Sequence, residues 1–276
     1  MVNRRELDPD SGPGAAFGAR LRRLRDGKGW TQAELGKLLK CTGSHVSAVE
    51  IGRRSPTRRF ATRVDGVFGT GDMFERLSLA VRQTALLEGF QDYLGHESRA
   101  AEFRLYEVGV IPGLLQTPEY AAALGDSAVR RGVALREQAD ERVDLVAQRQ
   151  ASLARTPPPT IFVVLDESCL LRPVGDDTLM DAQFTRLLEF AERPNTVLQV
   201  APFSIGDRRP MTLPVTILTM PDRTLMSYAE SANRGDLERD TASVLPILTD
   251  YHQLQAEALS RPASLAMIRQ LRKGTP

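Results

Sequence analysis

A chain of 276 residues with 42% hydrophobic and 26% charged residues has the composition of a globular protein, and neither a collagen-like nor a disordered class fits. No apolar run reaches the roughly 18–20 residues of a membrane span, MVNRRELDPDSGPG at the start lacks the apolar centre of a signal peptide, and two cysteines are too few for a disulfide framework or a four-thiolate metal site. The net charge of +1 hides a division: residues 1–69 carry 14 Lys+Arg against 7 Asp+Glu, and residues 70–276 carry 22 against 28.

A basic head on an acidic body points to a polyanion binder joined to a part that stays off the polyanion. Residues 1–16, polar and rich in Gly and Pro, read as a loose arm. Residues 17–70 show helical periodicity only. Phe17, Leu21 and Leu24 recur on one side of a segment whose other side carries Arg20, Arg22, Arg23 and Arg25. Thr31 and Glu34 form a T-x-x-E capping box that starts a helix at Gln32. That helix is expected to bury Leu35, Leu38 and Leu39, with Gly36 where the next helix crosses closely. After a turn at Lys40 and Cys41, the latter read as a small buried hydrophobe, Thr42 caps a second helix. Its inward side chains are Val46 and Val49, and its outward residues are Gly43, Ser44, Ser47 and Ala48. Two short helices with a tight turn, the second presenting small groups, make a helix-turn-helix whose second helix can approach base edges in the major groove. Arg53, Arg54, Arg58 and Arg59 follow closely and suit phosphate contacts; His45 is expected to touch phosphate or solvent. Phe60, Val64 and Val67 mark a further helix. Residues 71–102 (Phe74, Leu77, Val81, Leu86, Phe90, Tyr93), free of proline, read as a helical linker.

Residues 103–276 alternate strands and helices, an α+β pattern. Strand candidates are Phe103–Val108, Thr160–Leu165, Thr196–Val200, Val215–Thr219 and Thr224–Ser227. Helix candidates are Pro118–Leu124, Leu135–Arg155, Thr178–Ala191, Leu248–Leu259 and Ala263–Leu271, the first opened by Thr117 and Pro118. No nucleotide-binding glycine loop, nucleophile elbow, H-x-x-x-H zinc pair or C-x-x-C is present, so no catalytic, cofactor or metal residue is assigned. Cys169 with His252 is conceivable as a reactive pair, but packing of Cys169 in a short helix is the preferred reading.

The segments Leu21–Arg25, Thr31–Leu35 and Ser44–Glu50 resemble the Cro/CI-type (XRE) helix-turn-helix family over about residues 17–68. The resemblance implies that Gln32 contacts phosphate and that Gly43, Ser44, Ser47 and Ala48 occupy base-reading positions. Lys40 departs from it, standing where the family most often has a left-handed Gly. The reading positions also lack Gln, Asn or Arg, so DNA shape and water carry more of the specificity. Val110–Tyr120, Arg142–Gln150, Leu165–Leu171 and Val197–Phe203 resemble the domain of unknown function that follows such a head in actinobacterial WhiJ-like regulators. That implies transcriptional control and a small partner protein encoded nearby; some relatives are antitoxin-like. The expectation is therefore an all-α helix-turn-helix domain plus an α+β domain in a cytoplasmic, homodimeric regulator of double-stranded DNA, with no membrane association. Its DNA-contacting set is Gln32, Thr42, Gly43, Ser44, His45, Ser47, Ala48, Arg53, Arg54 and Arg58, while residues 103–276 sense a partner protein or ligand. The alternative is an antitoxin-like protein that sequesters a small partner and autoregulates.

Overall fold

A computed structural model describes residues 13–85, 89–231 and 234–274. The chain divides into two units, residues 1–88 and 89–276, the first helical and the second built on a mixed sheet with helices. No helix among the described residues is long and apolar enough to cross a membrane.

The first unit holds α1 (Pro13–Gly27), α2 (Gln32–Leu38), α3 (Gly43–Glu50), α4 (Arg58–Phe68) and α5 (Met73–Ala85). Residues 1–12 of the expected arm lie outside the described residues, and helix already begins at Pro13. One core gathers Phe17, Leu21, Leu35, Leu39, Val46, Val49, Phe60, Val64, Phe74 and Val81. Phe17 meets Phe74 edge-on with ring centroids 5.0 Å apart, a geometry aromatic pairs favour. α1 crosses α3 at Gly18, where a Cβ would fall 2.6 Å from the Glu50 carbonyl oxygen. Two expectations are corrected here. Leu38 is 49% exposed, because α2 turns Leu35 and Leu39 inward and ends at Leu38. Arg25 is buried rather than part of a basic face, since Phe17, Leu21 and Arg25 recur every four residues on one helical stripe.

The stretch 71–102 is also divided instead of continuous. α5 packs Phe74 and Val81 into the first core, whereas α6 (Phe90–Glu97) packs Tyr93 into the second unit; Leu86 lies outside the described residues. Asp65, at the end of α4, accepts from the Phe74 and Glu75 N–H groups at 2.9 and 2.8 Å. A carboxylate at a helix N-terminus satisfies donors that have no partner within the helix.

In the second unit the strands are β1 (Glu102–Glu107), β2 (Thr160–Asp166), β3 (Thr196–Ala201), β4 (Val215–Thr219), β5 (Leu225–Glu230) and β6 (Gly235–Glu238), in sheet order β3-β2-β1-β4-β5-β6. β1, β2 and β3 are parallel; β4, β5 and β6 run antiparallel to their neighbours. Further helices are α7 (Pro118–Arg130), α8 (Arg136–Ser152), α9 (Ser168–Leu171), α10 (Asp177–Glu192), α11 (Thr241–Glu257) and α12 (Arg261–Arg272). Alternation along the strands sends Phe103, Leu105, Ile161, Val163 and Leu198 to one face, with α10 and α12. Tyr106, Val164, Ile217 and Leu225 go to the other, beneath Val244, Tyr251 and Leu254 of α11. β6 was not expected, being short and without β-branched residues. α11 begins seven residues before the expected Leu248, because Asp240 caps it and Pro246 is accommodated within it rather than ending it.

Tyr251 Oη is the one buried side-chain polar atom without a hydrogen-bond partner among the described residues. Tyr251→Phe is therefore expected to leave thermal stability unchanged or raise it by up to about 1 kcal/mol, since an unpaired buried hydroxyl carries a desolvation cost. A lowered melting temperature would show that the hydroxyl has a partner.

Candidate nucleic-acid interface

The first helix of the pair is anchored as its residues dictate. Thr31 Oγ1 accepts from the Glu34 N–H at 3.2 Å, and the Thr31 N–H donates to Glu34 Oε2 at 2.7 Å. The bonds from Thr31, backbone first, hold the Glu34 carboxyl below its usual range. The Cys41 N–H then closes the turn on the Gly36 carbonyl at 2.8 Å. A Cβ at Gly36 would lie 2.9 Å from the Cys41 oxygen and 3.0 Å from the Gly43 nitrogen, so only glycine lets the turn fold back this tightly.

Lys40 occupies the left-handed region at φ 56°. Lys40→Gly should raise stability by up to about 1 kcal/mol, the cost of that conformation for a residue with a Cβ. Urea unfolding followed through Trp30 measures it; a lower midpoint would mean the turn is unstrained.

Thr42 Oγ1 caps α3 by accepting from the His45 N–H at 3.2 Å. α3 ends at Glu50 with Ile51 as its C-cap, and Gly52 follows at φ 67°, after which the Arg53 N–H reaches the Ala48 carbonyl at 2.9 Å, a helix stop of the kind that favours glycine. Arg53 and Arg54 therefore leave the helix immediately at its end. Thr42, Ser44 and Arg53 are exposed; Ser47, Ala48 and Arg54 are partly so.

Other expected contacts are engaged within the protein. Gly43 faces α2, not outward: a Cβ there would lie 3.0 Å from the Ala33 Cα. The His45 ring stacks on Phe60, centroids 5.1 Å apart at 20°, with Arg54 Nη1 3.4 Å from its Nδ1. Arg58 pairs with Glu75, Nη2 to Oε1 at 2.6 Å. Gln32 Nε2 donates to Glu50 Oε2 at 2.8 Å. Glu50 also accepts from Arg25 Nε at 2.6 Å and Nη2 at 3.0 Å. This buried knot joins α1, the start of α2 and the end of α3, fixing the angle at which the exposed helix is presented. Sequence reasoning missed it, although Glu50 follows Val46 by four residues on the inward stripe. It also missed Lys40 as an exposed cation beside the turn.

In the second unit, burial pushes the Cys169 thiol up to about 12, and Cys169 Sγ lies 3.2 Å from the Glu107 carbonyl. His252 is exposed on α11, which covers the opposite face of the sheet, so the two do not form a pair. Among the described residues no group of three or more His, Cys, Asp or Glu could hold a metal ion.

Residues 16–77 match the family model described as a helix-turn-helix domain, the span occupied by α1–α4 and the start of α5. Comparison with curated proteins and with solved structures finds no match. A helix-turn-helix domain points to a DNA-binding regulator. Residues 90–270, about two thirds of the chain, match the family described as a domain of unknown function (DUF5753), and the chain belongs to that family.

Proposed function

We propose that the protein is a sequence-specific transcriptional regulator of the Cro/CI kind, with α3 read into the major groove of double-stranded DNA. The supporting observation is the composition of the exposed side of α3. Only the short side chains of Ser44, Ser47 and Ala48 stand before the base edges, and Arg53 and Arg54 leave the helix where phosphates would lie. Lys40 and Arg59 add exposed cations in the same unit. The bonds made by Gln32 and Arg58 move these two from direct DNA contact to positioning. Homodimerisation follows from the small interface one such helix offers, with half-sites about 34 Å apart. The second unit, on this reading, senses a small ligand or partner protein. Action on chromosomal DNA sets the site of work in the cytoplasm.

Selected DNA sequences and salt titration test this. Arg53→Ala should weaken operator and random DNA alike and flatten the log–log salt slope by ~1. Ser44→Ala should instead alter sequence preference with little change in slope. Equal loss on every sequence from Ser44→Ala would reject α3 as the reading helix.

A further inference from the structure

The hairpin of β4 and β5 closes on a tightly held turn. The Met220 N–H donates to the Thr224 carbonyl and the Arg223 N–H to the Met220 carbonyl, each at 2.9 Å. Asp222 Oδ1 accepts from the Thr224 hydroxyl at 2.7 Å and from its N–H at 3.0 Å. Arg223 stands between them at φ 72°, a conformation disfavoured for a residue with a Cβ. Between this turn and the carboxyl end of α6 lies a cleft of about 310 Å³, walled by His96, Arg99, Met220, Asp222, Thr224 and Met226. That volume lies at the lower end of small-molecule sites and has room for about ten water-sized groups. Met220 belongs to the larger core, and Met226, opposite Leu218 in the pairing of β4 with β5, packs against the same core. The apolar part of the lining is therefore two thioether side chains, which adapt their shape to what they cover.

The polar part of the lining is only partly used. Arg99 Nε donates to the Gly95 carbonyl at 3.0 Å, and Nη2 lies 3.4 Å from His96 Nδ1. Arginine has five N–H donors and cannot accept, so Nδ1 is the acceptor and the neutral ring carries its proton on Nε2. The other three guanidinium N–H groups have no hydrogen-bond partner among the described residues, nor has Arg99 an ion pair there. The neighbouring charges are otherwise committed. Arg239 is matched by Asp92 at 2.6 Å, and the bonds from Thr224 hold the Asp222 carboxyl below its usual range. Burial, then Arg239 and Arg99, lower the His96 pKa against the opposing Asp92. The two arginines thus outweigh the acid at the ring.

We propose that this cleft binds a small organic carboxylate, its oxygens held by the Arg99 guanidinium and His96 Nε2 and its apolar body laid against Met220 and Met226. The planar fork of an arginine matches a carboxylate with two parallel bonds. A cation would meet an arginine with no acid of its own, and no group of three or more His, Cys, Asp or Glu that could hold a metal stands among the described residues. A bare inorganic anion would leave the thioethers uncovered. This assignment rests on the reading of the second unit as a sensor and names what it senses. Its test involves no DNA, so its outcome is separate from that of the DNA-binding reading.

The test uses the full chain, whose three histidines give separate ring ¹H–¹³C signals, that of His96 being assigned by its loss in His96→Gln. The pH titration is repeated at one ionic strength in millimolar sodium benzoate, sodium sulfate and sodium chloride, and in benzyl alcohol. Benzoate alone is expected to raise the His96 midpoint by about half a pH unit or more, the linkage equivalent of threefold tighter binding to the charged ring. His45 and His252 should not move. Calorimetry should show benzoate binding that weakens about tenfold in Arg99→Gln, the loss of a charge-assisted pair of bonds. A His96 midpoint that is the same in benzoate and chloride would overturn the proposal, as would an equal shift in sulfate or undiminished binding by Arg99→Gln. The wild-type titration decides the matter even if a variant does not fold.

Discussion

Glu50→Gln is expected to lower the stability of the first unit by about 3 kcal/mol or more, because removing one partner of a buried ion pair leaves the other charged and unmatched. Arg25 would keep contacts to Asp26 at 2.6 Å and the Trp30 carbonyl at 2.8 Å, but the buried side of its guanidinium would face a neutral amide in place of the Glu50 carboxylate. The readout is specific. The chain has one tryptophan, Trp30, packed against Phe68 with ring centroids 5.6 Å apart, so its emission follows this unit. The urea midpoint read from Trp30 should fall well below that of the wild type. The double variant Arg25→Met, Glu50→Leu should recover most of the loss, since apolar replacements of similar size often equal or exceed a buried pair. A midpoint within about 0.5 kcal/mol of wild type in Glu50→Gln would show that the knot contributes little to stability.

The second large effect is a pH dependence in the other unit. The Glu107 carboxyl is raised from 4.5 to about 7 on folding, so the folded state holds its proton over a range where the unfolded chain has lost it. Its contribution to stability is full below about pH 4.5, declines as pH rises towards 7, and is absent above that. The full shift corresponds to a little over 3 kcal/mol at 1.36 kcal/mol per unit, and partial exposure of Glu107 reduces the expectation to about 2 kcal/mol. Burial raises it most; Glu230 and Arg149 are the charged groups that act on it, and the Cys169 thiol, itself raised in part by Glu107, is a further titratable group beside it. Glu107→Gln, a neutral mimic of the protonated acid, should match the wild type at pH 5 and exceed it at pH 8. Denaturant unfolding followed by circular dichroism at several pH values measures the gap. A constant gap would mean that Glu107 does not titrate in this range.

Much of the helix-turn-helix was legible because its determinants are local. Thr31 and Glu34 lie three residues apart and cap each other; Thr42 opens α3; Gly36 stands at the crossing; Lys40 takes the left-handed φ that the resemblance implied. What escaped depended on partners distant in sequence. Arg25 and Glu50 are 25 residues apart, and a helical pattern assigns an arginine to water unless its stripe position is weighed against its charge. The stacking of His45 on Phe60 and the pairing of Arg58 with Glu75 are likewise tertiary. In the second unit β1 to β5 were recognisable from apolar, aromatic or β-branched runs, whereas β6 is held by its pairing with β5 and not by propensity. Pro246 concealed the first turns of α11, where the Asp240 cap outweighs the loss of one backbone donor. Glu107 gave no sequence signal at all, since only the sheet brings it beside Glu230.

The capping of α5 by Asp65 bears on how small a DNA-binding fragment can be made. A cut near residue 70 preserves α1 to α4 and so the whole two-helix motif, yet it strips Asp65 of both backbone donors and Phe17 of its edge-on neighbour Phe74. Such a piece would carry an exposed aromatic ring and a carboxylate, 4% exposed in the full chain, left with the Thr70 hydroxyl in place of its helix N-terminus. Its weak DNA binding would then reflect a frayed interior, not a poor reading surface. Continuing the fragment through Ala85 keeps the lid and its latch together, so the shortest self-sufficient head is set by a helix that lies beyond the motif itself.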